Sequence, residues 1–293
     1  MLLHKNFNLL IQNNKSSRAT LILNLFIAST KDIAGMNIAK QLIEKYGFEK
    51  LNENFYKNPI FLKSFQKIKI KLLFVDTEIV DTQFLENLFH PRLFVFLSRH
   101  SSIKGIPTLS VHAPGNLSEA KFGGKPEKVS IAAACAMKSA ILQMSKLINE
   151  RKLDFEVSYE CTHHGPSLDS PAIFVELGSS PKQWEDVKAA EVVADSAFAA
   201  VSEFSRYSAV LGIGGPHYNT KFTKIALSTQ IAFGHIIPKY AIAGINAEMI
   251  KQCIERTLEP VDSVVLDWKG INGEHKKKII TALEDCGIPS EKI

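Results

Sequence analysis

Apolar and polar positions follow two distinct rhythms along the chain. Residues 20–29 (TLILNLFIAS) form an almost unbroken apolar run, the pattern of a strand buried on both faces. Ser29, Thr30 or Asp32 can cap the helix that follows, in which Ile33, Met36, Ile38, Leu42 and Ile43 carry the apolar stripe and Gly47 ends it. In residues 67–76 (KIKIKLLFVD) lysine alternates with isoleucine before the run turns fully apolar. That predicts a strand starting at the surface and ending in the core. Runs at 93–97 and 108–111 read as further strands, followed by an alanine-rich helix over 128–151. Strands are predicted at 155–159, 172–177, 209–213 and 261–266, and helices at 185–204, 247–258 and 274–286. Asn246 is a suitable N-cap for the helix that starts at 247. Strands that alternate with helices and are mostly continuous apolar runs predict an α/β fold, with a mixed, mostly parallel sheet and helices on both faces. No repeat or linker divides residues 19–293, which are expected to form one domain. Residues 1–18, rich in Asn, Lys and Ser, read as a flexible N-terminal arm.

Composition narrows the class. With 45% apolar and 22% charged residues, the chain can build a sizeable core and is not a disordered polyelectrolyte. A net charge of +5 suits an acidic ligand or RNA and falls far short of a polycationic coat. The four cysteines form no CxxC pair, which argues against a disulfide framework or a zinc ribbon and for a reducing, cytoplasmic setting. The longest apolar run, 21–28, is broken by Asn24 and too short to span a bilayer. Residues 1–18 lack the pattern of a signal peptide. Neither DNA nor a membrane is an expected partner, and the absence of an evident exposed apolar face predicts a monomer.

Chemistry-bearing residues gather where apolar runs end. LFVFL runs into Ser98-Arg99-His100, TLSV into His112-Ala113-Pro114-Gly115-Asn116, and FEVSY into Glu160-Cys161-Thr162-His163-His164-Gly165-Pro166. AIFVE ends at Glu176 before Leu177-Gly178-Ser179-Ser180, and AVLGI meets Gly214-Gly215-Pro216-His217-Tyr218. Open α/β sheets bind ligands beyond the carboxyl ends of their strands, so these ends predict one crevice. Six of the nine histidines follow an apolar run, His235 being the sixth.

Two chemistries suit such a cluster. Neutral imidazoles and a carboxylate can hold a catalytic metal with one position left for water. A metal-free site could use one histidine to activate water and backbone N–H groups to hold an oxyanion. His163 and His164 face one crevice only if the chain has already left the strand, since neighbours on a strand point apart. Candidate catalytic residues are therefore His163, His164, His217 and Glu160, with Ser179, Gly214 and Gly215 as oxyanion donors. Candidate metal ligands are His112, His163, His164 and His217. Arg99, His100, Asn116, Tyr218 and His235 are candidate substrate contacts. Each histidine taken singly is more often a hydrogen-bonded structural residue; the set is what points to a site. Cys161 reads as a buried strand-end cysteine rather than a nucleophile. Gly212–Gly215 is no dinucleotide fingerprint. The loop KFGGKPEK (121–128) reads first as a mobile connection that could also touch phosphate. The lysine groups at 63–71, 121–128, 221–224 and 276–278 read as solvated faces, or as a track for RNA phosphates if they surround the crevice.

The segments ECTHHGP (160–166), ELGSSP (176–181), GIGGPHY (212–218) and FGHIIPKYA (233–241) resemble the D-aminoacyl-tRNA deacylase family of archaea and plants. STKDIAGMNIAKQL (29–42), SRH and HAPGN match it in order and spacing, so the resemblance covers about residues 20–290. Residues 1–18 fall outside the family pattern, and Asn219-Thr220 stands where a small residue and proline are expected. The resemblance implies an esterase that frees D-amino acids from mischarged tRNA. It also implies zinc dependence and an α/β core similar to peptidyl-tRNA hydrolase and the nucleoside phosphorylases. Two other readings stay open: a metal-free hydrolase or phosphorylase of small nucleoside-like molecules, and a non-catalytic RNA-binding protein with a structural zinc.

Overall fold

The computed structural model describes residues 22–203 and 205–293. The predicted arm at 1–18, the first two residues of the predicted strand at 20–29 and Phe204 lie outside the described residues. The elements in chain order are β1 (Ile22–Ser29), α1 (Ile33–Tyr46), β2 (Glu49–Phe55), β3 (Asn58–Phe65), β4 (Ile68–Val75), β5 (Leu93–Ser101), β6 (Thr108–His112), β7 (Gly115–Asn116), β8 (Lys128–Val129) and α2 (Ala134–Arg151). They continue as β9 (Glu156–Tyr159), β10 (Ala172–Ser179), α3 (Pro181–Trp184), α4 (Val187–Ser202), β11 (Ser208–Ile213), α5 (Thr220–Ser228), β12 (Ile231–Ile237), α6 (Ala247–Glu255), β13 (Val261–Leu266), α7 (Gly273–Asp285) and β14 (Ser290–Lys292).

An eight-stranded sheet runs β2-β3-β4-β1-β5-β10-β6-β9. Its centre is parallel, through β4-β1-β5-β10, and β6 turns antiparallel to β10. A second sheet, β12-β11-β13-β14, is parallel throughout. The expected mixed, mostly parallel α/β architecture is therefore present, divided between two sheets. Both faces of its central strands are buried: Phe26 and Ala28 of β1 join one cluster with α1, α2 and α4, while Leu25 and Ile27 join another on the opposite side. That opposite face is closed by the β2–β3 hairpin and a 3₁₀ segment, Ile79–Asn87, rather than by an α-helix.

Local signals act where sequence placed them. Asp32 caps α1 by accepting from Gly35 N–H at 3.0 Å, and Gly47 closes it in the left-handed region at φ 62°. Asn246 caps α6 through Met249 N–H at 2.8 Å. Ile68 and Ile70 are buried, with Lys69 and Lys71 half-buried on the other face. Ile33 and Met36, assigned to the apolar stripe of α1, are exposed; the helix buries the smaller residues Ala34, Gly35 and Ala39 with Ile38 and Leu42. The hairpin β2–β3, helix α5 and strand β12 were not predicted. The helix expected over 128–151 starts only at Ala134, where the carboxylate of Glu259 accepts from the N–H groups of Ala134 and Cys135 at 2.9 and 3.0 Å.

Candidate active site

The crevice forms where the ends of β6, β9 and β11 meet the bodies of β5 and β10, which run antiparallel to β6 and carry His100 and Glu176. The link between the sheets is the segment after β9: Cys161 N–H donates to His217 O, Thr162 N–H to Ile236 O and Asn219 N–H to Tyr159 O, each at 2.9 Å. This stitching brings His217 from the second sheet against Glu160 from the first. His164 sits in the left-handed region at φ 39°, which costs a non-glycine residue about 1 kcal/mol. The departure from strand geometry lets His163 and His164 face the same space.

Three imidazoles converge there. Ring centroids of His112 and His163 lie 4.3 Å apart, His112 and His164 4.9 Å, and His163 and His164 4.2 Å. Each Nδ1 meets a backbone carbonyl: His112 with Ala113 O at 3.3 Å, His163 with Cys161 O at 2.8 Å and His164 with Gly165 O at 2.7 Å. Those carbonyls fix the tautomer with the proton on Nδ1 and leave the Nε2 lone pairs free to bind. Phe174 forms the floor, stacked on His112 at 4.9 Å and edge-on to His164 at 4.8 Å. Burial holds all three imidazoles below their ordinary range, so they are neutral, the state that binds metal.

Beside them lies an acidic pair. Glu160 accepts from His217 Nε2 at 2.8 Å and lies 3.1 Å from His100 Nδ1; Glu176 lies 3.7 Å from His112 Nε2 and 3.8 Å from His100 Nδ1. Burial favours the neutral acid at both positions. At Glu160 the hydrogen bonds from His100 and His217 win and its pKa falls well below normal, whereas Glu176, buried and facing the Glu160 charge, is raised well above. One carboxylate is thus ionised and its neighbour protonated, the separation that acid–base sites exploit. For His217, burial disfavours the imidazolium, but hydrogen bonding to Cys161 and Glu160 prevails and raises it to about 10. Its Nδ1 lies 3.2 Å from Cys161 Sγ and 3.1 Å from the Tyr240 hydroxyl.

The residues fit a bound cation. His112, His163 and His164 offer ligand atoms all within 4.8 Å of one another, as do Cys161, His163 and His217, and His100, Glu160 and Glu176. His100 Nε2 and His112 Nε2 are buried without a hydrogen-bond partner, an arrangement expected of groups shaped for a ligand.

Of the residues singled out from sequence, His100, His112, Glu160, His163, His164 and His217 come together. Arg99 and Tyr218 line the same crevice. Arg99 pairs with Glu78 at 3.0 Å, while its backbone N–H donates to Asp32 at 2.7 Å. Of the other candidates, Ser179, Gly214 and His235 are engaged elsewhere. Ser179 Oγ donates to Ile106 O at 2.6 Å, because β10 continues through it. Gly214 N–H donates to Ile237 O; the Gly215 carbonyl accepts from Lys239 N–H, a bond that does not use the Gly215 N–H. His235 lies inside β12, fully buried, with Nδ1 2.9 Å from the Thr162 hydroxyl and Nε2 3.1 Å from the Ser130 and Arg256 carbonyls. Asn116 lines a neighbouring arm of the crevice, where it also holds a loop through Gly123 O and Lys125 O. Glu176, Phe174 and Tyr240 were missed. Only Glu176 carried a signal, as a lone charge in an apolar run.

Among the described residues no helix is long and apolar enough to cross a membrane. Residues 88–291 match the family model described as D-aminoacyl-tRNA deacylase, a span that holds the whole histidine and glutamate cluster. A D-aminoacyl-tRNA deacylase of Thermococcus kodakarensis is 39% identical over 272 residues, covering 89% of this chain and 97% of that protein. The protein of the same name from Methanocaldococcus jannaschii is 33% identical, covering 92% and 99%. A crystal structure described as a conserved protein of unknown function superposes with a TM-score of 0.82 at 30% identity, covering 92% of this chain and 95% of that one. By its sequence over nearly nine-tenths of its length, the chain belongs to the D-aminoacyl-tRNA deacylase family.

Proposed function

We propose that the protein hydrolyses the ester joining a D-amino acid to tRNA, releasing the amino acid and reusable tRNA, in the crevice around His163 and His164. The converging imidazoles of His112, His163 and His164, whose ligand atoms lie within 4.8 Å of one another inside the matched span, support this reading. An aminoacyl ester is already activated, so the protein need only position water and stabilise the developing oxyanion.

His112, His163 and His164 form a donor set suited to zinc, with each Nδ1 anchored as is usual for ligating histidines. These residues would hold zinc, which would supply a Lewis acid able to lower the pKa of a water at the site. The chain's own groups handle the protons. Ionised Glu160, between His163 and His217, accepts the proton of the attacking water. His217, held protonated by Glu160, donates to the departing ribose oxygen. His100 orients Glu160, and Arg99 and Tyr218 line the wall met by the acyl group. A cytoplasmic location suits a tRNA substrate and the four unpaired cysteines.

Replacing His163 and His164 together by alanine tests the assignment. The variant is expected to keep the circular dichroism spectrum of the wild type, to retain less zinc after dialysis and to lose release of D-tyrosine from D-tyrosyl-tRNA. Turnover at the wild-type rate would remove these residues from the mechanism.

A further inference from the structure

The crevice has two arms that share the wall of Phe122, His163, His164 and His217, while Tyr240 lines the second alone. The wider, about 830 Å³, runs past Asp32, Arg99 and Glu176. The narrower, about 350 Å³, runs the other way between the 117–122 segment and Pro238, Tyr240 and Ala241. We propose that the narrower arm takes the 3′-terminal nucleotides of the RNA, with bases stacked on Phe122 and Tyr240 and a preceding phosphate met by Lys121. This placement rests on the deacylase reading and goes beyond it, because it fixes the direction in which the substrate lies across the histidines: nucleoside in the narrow arm, acyl group in the wide one.

The first observation is two exposed aromatic rings on firmly held backbone. Phe122 is 71% exposed and Tyr240 62%. Sequence suggested a mobile connection around Phe122, but the loop is clamped. Asn116 Nδ2 donates to Gly123 O at 2.9 Å and Lys125 O at 3.2 Å, Lys125 N–H donates to Ser167 Oγ at 3.1 Å, and Gly165 N–H donates to Phe122 O at 2.8 Å. Gly124, at φ 76°, lies so close to this clamp that a Cβ would meet Ser167 Oγ at 2.7 Å and Asn116 Nδ2 at 2.8 Å. Tyr240 is fixed at its far end, where its hydroxyl reaches His217 Nδ1 and Cys161 Sγ, so the ring stands as a wall beside the reaction centre. Rigid, solvent-facing aromatics beside a polar site are the platforms on which single-stranded bases stack.

The second observation is charge. Lys121 lines the arm and Lys239 precedes Tyr240. Lys278 donates to Ala243 O at 2.9 Å, just beyond Tyr240 in the chain. Lys121 pairs with Glu119 at 3.1 Å, but both side chains are about three-quarters exposed, and such a pair is weak enough to yield to a phosphate. The wide arm sets Asp32, Glu78 and ionised Glu160 against the single guanidinium of Arg99, a poorer surface for a polyanion.

The test uses the trinucleotide CCA as competitor in hydrolysis of D-tyrosyl-tRNA, and as ligand in titration of the full-length protein. CCA is expected to compete with substrate. Phe122→Ala and Tyr240→Ala should each weaken it by about tenfold or more, the loss that removing one base–aromatic stack produces. Phe122→Trp should restore binding, and Lys121→Gln should lower the slope of log affinity against log salt by about 0.7. A CCA trinucleotide that fails to compete, or that binds Phe122→Ala and Tyr240→Ala as tightly as wild type, would overturn the placement while leaving hydrolysis intact. Wild-type protein that binds CCA with this variant pattern yet releases no D-tyrosine would instead overturn the deacylase reading and keep the nucleotide site.

Discussion

Replacing His235 by glutamine should flatten the acid sensitivity of the fold. His235 is fully buried, and burial lowers its pKa from 6.5 to about 4. Its ring bridges β12 to the Thr162 hydroxyl on one side and to the Ser130 and Arg256 carbonyls on the other. The neutral ring satisfies these partners as one acceptor and one donor, whereas a second proton would face the Thr162 hydroxyl in the core. The sign follows from proton counting. Between the two pKa values the unfolded chain binds a proton that the folded chain refuses, so this contribution is complete above about pH 6.5 and is lost as pH falls towards 4. The loss comes to about 2 kcal/mol at about pH 5, rising to about 3 kcal/mol below the folded pKa. Urea denaturation of metal-stripped protein at about pH 7 and about pH 5 gives the change for each protein, and subtracting the two removes the titration of the other buried histidines. Glutamine keeps a donor and an acceptor without titrating, so the variant should lose about 2 kcal/mol less than wild type over that interval. Equal losses would refute a neutral, structural His235.

Two further substitutions test the scaffold beneath the site. Phe174→Ala removes the buried ring that stacks on Phe96 at 4.8 Å and on His112, and should cost about 3–5 kcal/mol in urea denaturation. A change below about 1 kcal/mol would mean that the ring is not the floor described. Glu259→Ala removes the carboxylate that meets the first N–H groups of α2, and should lower stability by about 1 kcal/mol, readable as a fall in Tm. An unchanged Tm would show that water serves those groups equally well.

What sequence conveyed, and what it withheld, divides along physical lines. Strands such as β1 and β4 were legible because burial on both faces leaves an apolar run that no turn resembles. The caps Asp32 and Asn246 were legible because their side chains answer a local need of the next few N–H groups. The rule that ligands bind beyond strand ends drew together His112, Glu160, His163, His164 and His217, which converge in the fold, and His100 joins them from inside β5. The rule failed at His235 and Ser179 because an apolar run followed by a polar residue looks the same whether the strand stops or continues. β12 runs on to Ile237 and β10 to Ser179, so both residues meet backbone partners in the fold instead of the crevice. Gly214 was unreadable for a similar reason, since only tertiary structure reveals that its N–H is taken by Ile237. The hairpin β2–β3 went unseen because β2 is largely exposed and carries little apolar signal. Tyr240 lies far from Cys161 and His217 in sequence, and nothing local marks a tyrosine whose hydroxyl reaches them.

The account rests on the histidine crevice being a metal-assisted deacylation centre, and the most direct measurement is release of tyrosine from D- and L-tyrosyl-tRNA by metal-stripped protein before and after zinc is added. The account predicts that the stripped protein is inactive, that zinc restores release, and that the D-ester is cleaved far faster than the L-ester. D-selective release that never needs zinc would contradict the metal assignment, and no release from either ester would contradict the deacylase reading itself.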